Sequence, residues 1–423
     1  MQFIQRLTLP LLLSFALACR AAPPGPLSQD AYLWQRDWNG SVYQAITQHA
    51  DAFNSLVVLK CEVSWQGLKP KVVRVPVDFA FLKRARVGLA LRIGPFNGPF
   101  VADDSTSIFL TELAASIVNE AKAAGLTPAE LQLDFDCADS KLDGYRVWVE
   151  AIRRKIAPIP LAITALPSWL NQPSFAGLAA ASGTYVLQVH SLTPPKNFAA
   201  PFTLCDPAVA MRSVENADKF GIPFRVALPT YGYVVAFDPT GKFIGLSAEG
   251  TDRTWPTGTQ LREVMTDARD MAQLVQFWKT NPPATLRGII WYRFPIADDA
   301  MNLRWATLSA MMAGRPPQER IEAVARRVES GLTEISLENN GELDISSRLV
   351  VNIRWQGARV VAGDGIGGFE FVDFGPDHDQ PDQFSAQFKI DHLTFRLPAG
   401  EKRTIGWLRL NEEREVKCEI QKP

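Results

Sequence analysis

Hydrophobic positions along the chain follow two alternating spacings, one typical of strands and one typical of helices. Short apolar runs recur eight times between residues 31 and 313, and stretches with helical periodicity separate most of them. The strand-like runs cover residues 31–38, 55–63, 87–94, 131–136, 160–166, 184–191, 224–232 and 288–294. The helical stretches cover residues 41–53, 107–124, 141–156, 207–220, 262–280 and 303–313. This alternation predicts a parallel sheet that is buried on both faces.

The number of these units favours a closed barrel. Eight strand–helix units over about 280 residues predict an α/β fold of the (β/α)8 TIM barrel type, spanning residues 31–315. The alternative is a doubly wound sheet, but no Gly-rich phosphate fingerprint follows the first strand. Within the span 66–86, the segment KVVRVPVDF looks like an additional strand. Val234–Gly245 looks like a hairpin with its tip at Asp238–Gly241.

The pattern changes after residue 315. Residues 319–328 have the pattern of a short charged helix. Residues 330–423 consist of short alternating segments separated by turn residues. We therefore expect a small C-terminal antiparallel β-sandwich, which would serve as an accessory domain.

The N-terminal residues are typical of an export signal. Arg6, the apolar stretch Leu7–Ala18 and the small residues at positions 16 and 18 predict a signal peptide over residues 1–19. The apolar stretch is too short to span a bilayer. Cys19 follows directly, so two outcomes stay open: a lipoprotein anchored at Cys19, and plain secretion. Residues 20–30 then form a Pro-rich tether, and we expect an exported, periplasmic protein whose membrane contact is limited to a lipid anchor.

Composition narrows the class of function. The 423 residues are 47% hydrophobic and 21% charged, with a net charge of -1. Without a Lys/Arg-rich block, nucleic acid is not an expected partner. Four cysteines remain after Cys19, and they and the four histidines lack metal-ligand spacing. We predict no metal and no cofactor, and buried free thiols rather than a Cys137–Cys205 bridge.

The fourth strand carries two carboxylates inside an apolar run. In LQLDFD, Asp134 and Asp136 share one face, while Leu133 and Phe135 share the other. Barrel enzymes place their chemistry at the C-terminal ends of the strands. Because burying two carboxylates is costly without partners or a task, we favour a functional role over a purely structural ionic network.

Other polar and aromatic residues recur near the strand ends. Strand parity places inward Lys60 and Glu62, Arg92, Gln132 with the two aspartates, Gln188 and His190, Trp291 and Arg293, and either Trp34 and Arg36 or Gln35 and Asp37. The aromatic residues at or beyond the strand ends are Trp34, Trp38, Trp65, Trp169, Trp291, Tyr231, Tyr233 and Tyr292. The structural alternatives are core packing for the aromatics, a satisfied structural histidine for His190, and ion pairs for the arginines.

This combination suggests sugar chemistry. Glycosidic cleavage commonly uses two carboxylates, one as acid and one as base or nucleophile. Same-face neighbours on a strand lie about 6.6 Å apart, and one carboxylate raises the pKa of the other. The candidate catalytic residues are Asp134, Asp136 and Glu62. The candidate residues for a polysaccharide or oligosaccharide ligand are Trp34, Arg36, Arg92, Gln188, His190, Tyr231, Trp291, Tyr292 and Arg293.

Four motifs resemble a known family. YLWQR at residues 32–36, LQLDFDC at 131–137, IIWYRFP at 289–295 and NNGELD at 339–344 resemble an exported bacterial family, domain of unknown function 3142. The resemblance extends over nearly the whole mature chain. It implies a barrel related to glycoside hydrolases and supplies no settled substrate.

The fourth strand also resembles, more distantly, the chitinase-like pattern D-x-x-D-x-D-x-E. Asp134 and Asp136 match its last two aspartates, but Ala138 occupies the position of the glutamate and Leu131 that of the first aspartate. The acid would then be Asp136, Asp139 or Glu62, or the protein binds sugar without cleaving it.

Two functions follow from these observations. The first is a glycoside hydrolase acting on an envelope or extracellular polysaccharide, with Asp136 as acid, Asp134 as its partner and Glu62 as base or nucleophile. The second is a non-catalytic carbohydrate-binding or envelope-assembly protein. A metal-dependent hydrolase is disfavoured, because the histidines lack ligand spacing.

Overall fold

The computed structural model describes residues 26–67, 69–190, 194–248, 254–346, 348–390 and 395–421. The predicted signal peptide, Cys19 and residues 20–25 of the predicted tether lie outside these ranges. Within them, no helix has both the length and the hydropathy needed to cross a bilayer.

The first part of the chain alternates strands and helices, as predicted. In chain order its elements are β1 (Ser28–Leu33), α1 (Gly40–His49), β2 (Ser55–Gln66), β3 (Lys69–Arg74), β4 (Val87–Ile93), α2 (Ser105–Ala123), β5 (Leu131–Phe135), α3 (Leu142–Ile156), β6 (Leu161–Ala165), α4 (Phe175–Ser182), β7 (Tyr185–Gln188), α5 (Pro207–Asp218), β8 (Phe224–Pro229), β9 (Gly232–Phe237), β10 (Phe243–Ser247), β11 (Gln260–Met265), α6 (Ala268–Thr280), β12 (Leu286–Tyr292) and α7 (Trp305–Ala313). All eight predicted barrel strands are present. Helix α4 is absent from the prediction because its sequence, FAGLAAAS, has no polar face to mark a helical period.

The parallel strands close into a barrel. Their order is β1–β12–β8–β7–β6–β5–β4–β2, and β1 also pairs with β2. This last pairing joins the two edges, so the predicted (β/α)8 barrel is confirmed. Outward side chains pack against the helices in one large core. A smaller inner layer fills the barrel and consists of Tyr32, Val57, Ala90, Val186, Ala227 and Ile290.

A charged network closes the N-terminal end of the barrel. Arg225 donates hydrogen bonds to Asp30 at 2.9 Å and to both carboxylate oxygens of Glu130 at 2.7 and 2.8 Å. Gln132 donates to Glu130 and accepts from the hydroxyl of Tyr32, both at 2.7 Å. These buried charges are paired with one another, as buried ions need to be. The network lies at the end of the inner layer opposite to the C-terminal ends of the strands.

Two excursions interrupt the barrel where the sequence indicates them. Strand β3 pairs antiparallel with the second half of β2, and β9–β10 form the predicted hairpin. The predicted helix over residues 262–280 begins only at Ala268, since residues 260–265 form β11 and pair with β9. Asp267, two residues after the end of that strand, caps α6 and accepts hydrogen bonds from the backbone N–H groups of Arg269 and Asp270.

The C-terminal part is a sandwich of two antiparallel sheets. Its strands are β13 (Ile321–Glu329), β14 (Leu332–Asn339), β15 (Leu349–Gln356), β16 (Val360–Gly365), β17 (Glu370–Pro376), β18 (Gln383–Ile390), β19 (Lys402–Leu410) and β20 (Lys417–Gln421), in the sheet orders β13–β14–β19–β16 and β17–β18–β15–β20. The predicted helix over residues 319–328 is wrong, because these residues form β13. Ile321, Ala323 and Ala325 pack against the sandwich core at the two-residue period of a strand.

Candidate active site

Three charged side chains stand side by side at the C-terminal end of the barrel, hereafter the mouth. Glu62 on β2 is the register partner of Arg92 on β4, and Arg92 is the register partner of Asp134 on β5. Adjacent strands lie about 4.8 Å apart, so the Cα atoms of Glu62 and Asp134 are about 10 Å apart. An arginine therefore separates the two carboxylates.

Asp134 is the most perturbed carboxyl group of the mouth. Its side chain is 15% exposed, with one oxygen 3.8 Å from Nε of Arg92. The other oxygen accepts a hydrogen bond from the Thr164 hydroxyl at 3.0 Å. Burial raises the pKa of Asp134 to about 6, against the charge of Arg92 and with further upward contributions from Asp136 and Glu62. A carboxyl group with this pKa is partly protonated near neutral pH, as a general acid requires.

Asp136 lies beyond the end of β5 and is exposed. Its charge is close enough to raise the pKa of Asp134. Ala138 is also exposed and has no group that can transfer a proton. Asp139, the other candidate acid on this loop, accepts hydrogen bonds from Ser168 at 2.9 Å and Gln172 at 3.3 Å. These contacts tie Asp139 to the loop after β6.

Glu62 is paired rather than free. Arg36 donates to its two carboxylate oxygens at 2.6 and 3.0 Å, a bidentate arrangement. These hydrogen bonds, followed by burial acting in the opposite direction, leave the pKa of Glu62 below its usual value. Glu62 is therefore ionised at neutral pH, and Arg36 reduces its strength as a base.

The prediction that Lys60 shares the inner face with Glu62 is wrong. The β2–β4 pairing has a register shift between Leu59 and Cys61, which changes the side-chain alternation at Lys60. The buried ammonium group of Lys60 pairs with Glu120 on α2 at 2.6 Å and donates to the carbonyl of Val75.

An aromatic cluster, formed by Tyr32, Trp34, His190, Tyr231 and Tyr292, lies in the barrel beside the carboxylates. Tyr292 is its centre: its ring centroid is 5.6 Å from those of Trp34 and His190, 5.4 Å from that of Tyr231 and 5.8 Å from that of Tyr32. The His190 ring is nearly parallel to that of Tyr292, at 19°. Apolar ring faces with a few convergent polar groups are typical of small-molecule sites.

Two predicted ligand residues are placed differently. On β12 it is Tyr292 that packs with the inner layer, whereas Trp291 is fully buried in the outer core and donates to Gln29 at 2.7 Å. The prediction for Trp291 is therefore wrong, because no ligand can reach its ring. Arg293 is occupied by Asp299, with 2.6 Å between Nε and Oδ2, and by the carbonyl of Ala248. It orders two loops and is not free for a ligand.

The three other strand-end tryptophans lie against the outer core. Trp38, Trp65 and Trp169 pack against the outer core, and Trp169 donates to the carbonyl of Cys137.

Gln188 is half-buried at the end of β7, on the same strand face as His190. Thr164 is a site residue that sequence analysis missed; its signal is a single polar residue in the apolar run PLAITAL.

The described cysteines are free thiols, and most of them are buried. Cys61, Cys137 and Cys205 are buried, and Cys418 is half-buried. Burial raises the pKa of Cys137 and of Cys205 to about 12, so neither is a thiolate at neutral pH. Among the residues that the structure describes, no group of three or more His, Cys, Asp or Glu is placed to hold a metal ion.

The closed barrel with charged side chains at its mouth places the chain in the class of (β/α)8 TIM barrels. Residues 91–297, from β4 to the loop after β12, match the family described as Domain of unknown function (DUF3142), which confirms the resemblance for the two motifs inside that range, LQLDFDC and IIWYRFP. No curated protein sequence matches the chain.

Several solved structures are similar in fold. Chitinase ChiA74 from Bacillus thuringiensis is 11% identical, with a TM-score of 0.46 over 94% of this chain and 100% of that one. The spore cortex-lytic enzyme SleL from Bacillus megaterium QM B1551 is 13% identical, with a TM-score of 0.49 over 70% and 75%. The xylanase and alpha-amylase inhibitor protein XAIP-II from Scadoxus multiflorus is 11% identical, with a TM-score of 0.41 over 69% and 99%. At these identities the chemistry has to be argued from the residues of this chain.

Proposed function

We propose that the protein hydrolyses glycosidic bonds of an envelope or extracellular polysaccharide at the mouth of the barrel. The observation that carries this proposal is the buried Asp134 carboxyl group, whose pKa is about 6, two strands from the ionised Glu62. Two carboxyl groups in different protonation states are what glycosidic cleavage requires.

In this proposal Asp134 is the general acid. Its proton passes to the glycosidic oxygen as the bond to the anomeric carbon breaks. Water supplies the hydroxyl group of the new reducing end, and the proton lost by that water goes to an ionised carboxylate. This assignment exchanges the roles that the sequence suggested for Asp134 and Asp136, because burial acts on Asp134 and Asp136 is exposed.

Glu62 and Asp136 are the two candidates for the ionised partner. Glu62 faces Asp134 across Arg92 but is held by Arg36, whose side chain is 54% exposed. A sugar that draws Arg36 away would free Glu62 to act as base or nucleophile. Asp136 needs no such release.

The neighbouring side chains suit a sugar. Trp34 and Tyr292 offer aromatic surface, while Arg92 and Gln188 offer hydrogen bonds to hydroxyl groups. We further propose that the protein is exported to the periplasm through its N-terminal signal, as a soluble protein or anchored at Cys19. Labelling with radioactive palmitate separates these two forms, since only the lipoprotein incorporates the label.

The bidentate Arg36–Glu62 pair favours a second function, binding of a polysaccharide without cleavage. A carboxylate whose two oxygens are already satisfied is a poor base, and Ala138 supplies no acid in its place. The same mouth would then hold a sugar chain for envelope assembly.

The test is release of reducing ends from peptidoglycan and from bacterial exopolysaccharides by the purified protein. We expect Asp134→Asn to lower the rate at least a hundredfold, as loss of a general acid does. Glu62→Gln and Asp136→Asn identify the partner, since only the true partner should cause a comparable loss. Glu112→Gln, on the exposed face of α2, serves as the matched control and should not change the rate.

Two results would contradict the proposal, the first in its choice of acid and the second in the reaction itself. Release that survives Asp134→Asn would remove this residue from the mechanism. Saturable binding of a polysaccharide with no release by the wild-type protein would select the second function.

A further inference from the structure

His190 and Trp34 each carry an unpaired ring nitrogen within the aromatic cluster. Nε2 of His190 and Nε1 of Trp34 are both buried and have no hydrogen-bond partner among the residues that the structure describes. Both side chains pack against the ring of Tyr292, with 5.6 Å between the ring centroids in each case. Buried polar groups are normally hydrogen-bonded. The unpaired nitrogens of two residues that lie against the same Tyr292 ring therefore call for an explanation.

The protonation of His190 follows from its other nitrogen. Nδ1 lies 3.3 Å from the hydroxyl oxygen of Tyr231, which lies 3.5 Å from the hydroxyl of Tyr233. A phenol is a better hydrogen-bond donor than a neutral imidazole N–H, and an imidazole nitrogen is a better acceptor than a phenol oxygen. Tyr231 therefore donates to Nδ1, and Tyr233 donates to Tyr231. The remaining proton of the neutral imidazole ring is on Nε2.

The ring is neutral under ordinary conditions. Burial lowers the pKa of His190 to about 4. In the same way burial keeps the pKa of the Tyr231 phenol well above its usual range, so Tyr231 retains the proton that it donates. His190 and Trp34 thus present two uncharged N–H donors inside the aromatic cluster.

We infer that His190 donates a hydrogen bond from Nε2 to an uncharged oxygen of the sugar ligand, and that Tyr231 is a positioning residue that holds His190 in this tautomer. The inference rests on the proposed sugar ligand. It departs from the expectation that Tyr231 touches the ligand itself, because the Tyr231 hydroxyl is already paired with His190 and Tyr233.

The charges of the mouth define the class of ligand oxygen. Asp134, Asp136 and Glu62 already place three carboxyl groups there, and Arg36 and Arg92 lie against two of them. A sugar carboxylate would add a further negative group to this set. A hydroxyl or an acyl carbonyl adds none.

The tautomer can be observed directly. In the full-length mature protein labelled with 15N-histidine, the four histidines give separate signals, and His190→Leu identifies that of residue 190. We expect the Nε2–H tautomer in the wild-type protein and a mixture of tautomers in Tyr231→Phe. Tyr43→Phe, whose hydroxyl contacts Asp78 outside the cluster, is the control and should leave the signal unchanged. An Nδ1–H tautomer in the wild-type protein would overturn the role given to Tyr231.

The ligand is tested by titration with three tetrasaccharides, made of glucose, N-acetylglucosamine or galacturonate. They offer hydroxyl groups only, an additional acyl carbonyl, and a carboxylate, respectively. We expect tighter binding of a neutral tetrasaccharide, a roughly tenfold weaker affinity for it in His190→Leu, and recovery of most of that loss in His190→Gln, which restores an N–H donor.

The outcomes separate this inference from the proposed function. Unchanged affinity in His190→Leu, or a preference for galacturonate, overturns the donor role while sugar binding stands. Binding of none of the three probes, together with no release of reducing ends by the wild-type protein, overturns both the ligand assignment and the proposed function. The 15N signal still decides the positioning role of Tyr231 in that case.

Discussion

The Asp134 carboxyl group holds its proton more tightly in the folded protein than in the unfolded chain. Its pKa is about 6 in the fold against a usual 3.8, mainly because of burial. The contribution of this group to the free energy of unfolding is therefore fully present below about pH 3.8 and is lost as the pH rises through about 6. Above that pH the fold carries a charged, buried carboxylate at a cost of up to about 3 kcal/mol.

Removing the charge should stabilise the protein. We expect Asp134→Asn to raise the free energy of unfolding by about 1–3 kcal/mol at pH 7.5 and to bring no gain at pH 4. The amide still accepts the hydrogen bond from Thr164. Urea denaturation at the two pH values measures this, with Glu112→Gln as control. A variant that is less stable than the wild-type protein at pH 7.5 would show that Arg92 and Thr164 outweigh the cost of burial.

The charged residues of the mouth were predictable from the sequence, but the separate roles of Asp134 and Asp136 were not. The LQLDFD pattern identified Asp134 and Asp136, but their difference depends on β5 ending at Phe135, which leaves Asp136 outside the sheet. In the run IIWY, four apolar or aromatic residues follow one another, so no polar alternation shows which of Trp291 and Tyr292 faces inward. Only the pairing of β12 with its neighbours fixes this.

A local irregularity in β2 made the prediction of its inward face wrong at Lys60. The sequence SLVVLKCEV gives no sign of the register shift after Leu59, so Lys60 and Glu62 look like neighbours on one face. The helix predicted over residues 319–328 fails for a related reason, since its charged residues fit an exposed strand face as well as a helix.

Helix α3 approaches the wall of the mouth through Gly144. A Cβ atom at this position would lie 2.6 Å from the ring of Phe100, which packs against Trp148 and Phe135. Alanine would gain about 1 kcal/mol of helix propensity, but displacing a packed ring costs about 1–3 kcal/mol. We expect Gly144→Ala to lower the free energy of unfolding by up to about 2 kcal/mol.

Thermal unfolding measures this effect, with Gly40→Ala as the matched control. Gly40 opens α1 and has no heavy atom within 4 Å of the added Cβ. Alanine there should be neutral or slightly stabilising. Equal effects at the two positions would mean that Phe100 moves aside without cost.

At the scale of the whole molecule, the barrel and the sandwich are joined by polar contacts. Glu342 accepts hydrogen bonds from Arg315 at 2.5 and 2.6 Å, and its backbone carbonyl accepts from Thr307 on α7. Arg396 of the sandwich donates to the carbonyl of Ala300 at 2.9 Å, beyond the end of β12. The sandwich is therefore attached to the same loop region that orders Arg293 through Asp299.

Removing these contacts should loosen the junction. Since Arg315 is 47% exposed, water screens its pair with Glu342, and loss of the pair should not unfold either part. The double variant Arg315→Ala/Arg396→Ala should therefore leave both parts folded while thermolysin cleaves faster between residues 314 and 320. Arg354→Ala/Lys417→Ala, on exposed positions of the sandwich, is the control. Unchanged cleavage would mean that the remaining contacts, including the hydrogen bond from Thr307 to the Glu342 carbonyl, hold the parts together.

The architecture of the molecule was predictable from sequence because it depends on repetition. Eight apolar runs separated by helical stretches define a barrel whatever the individual contacts, and the short alternating segments define the sandwich. The site depends instead on strand register, on where each strand ends and on burial depth. These are tertiary properties that no single segment of sequence encodes.

The most direct test of the central claim is the pH dependence of kcat/KM on the polysaccharide that the protein cleaves fastest. If Asp134 is the general acid, kcat/KM falls above about pH 6, where that group loses its proton. In Asp136→Asn this limb should move to lower pH, because a negative charge that raises the pKa of Asp134 is gone. A limb that keeps its position in Asp136→Asn, or a rate independent of pH between 5 and 8, would contradict the account.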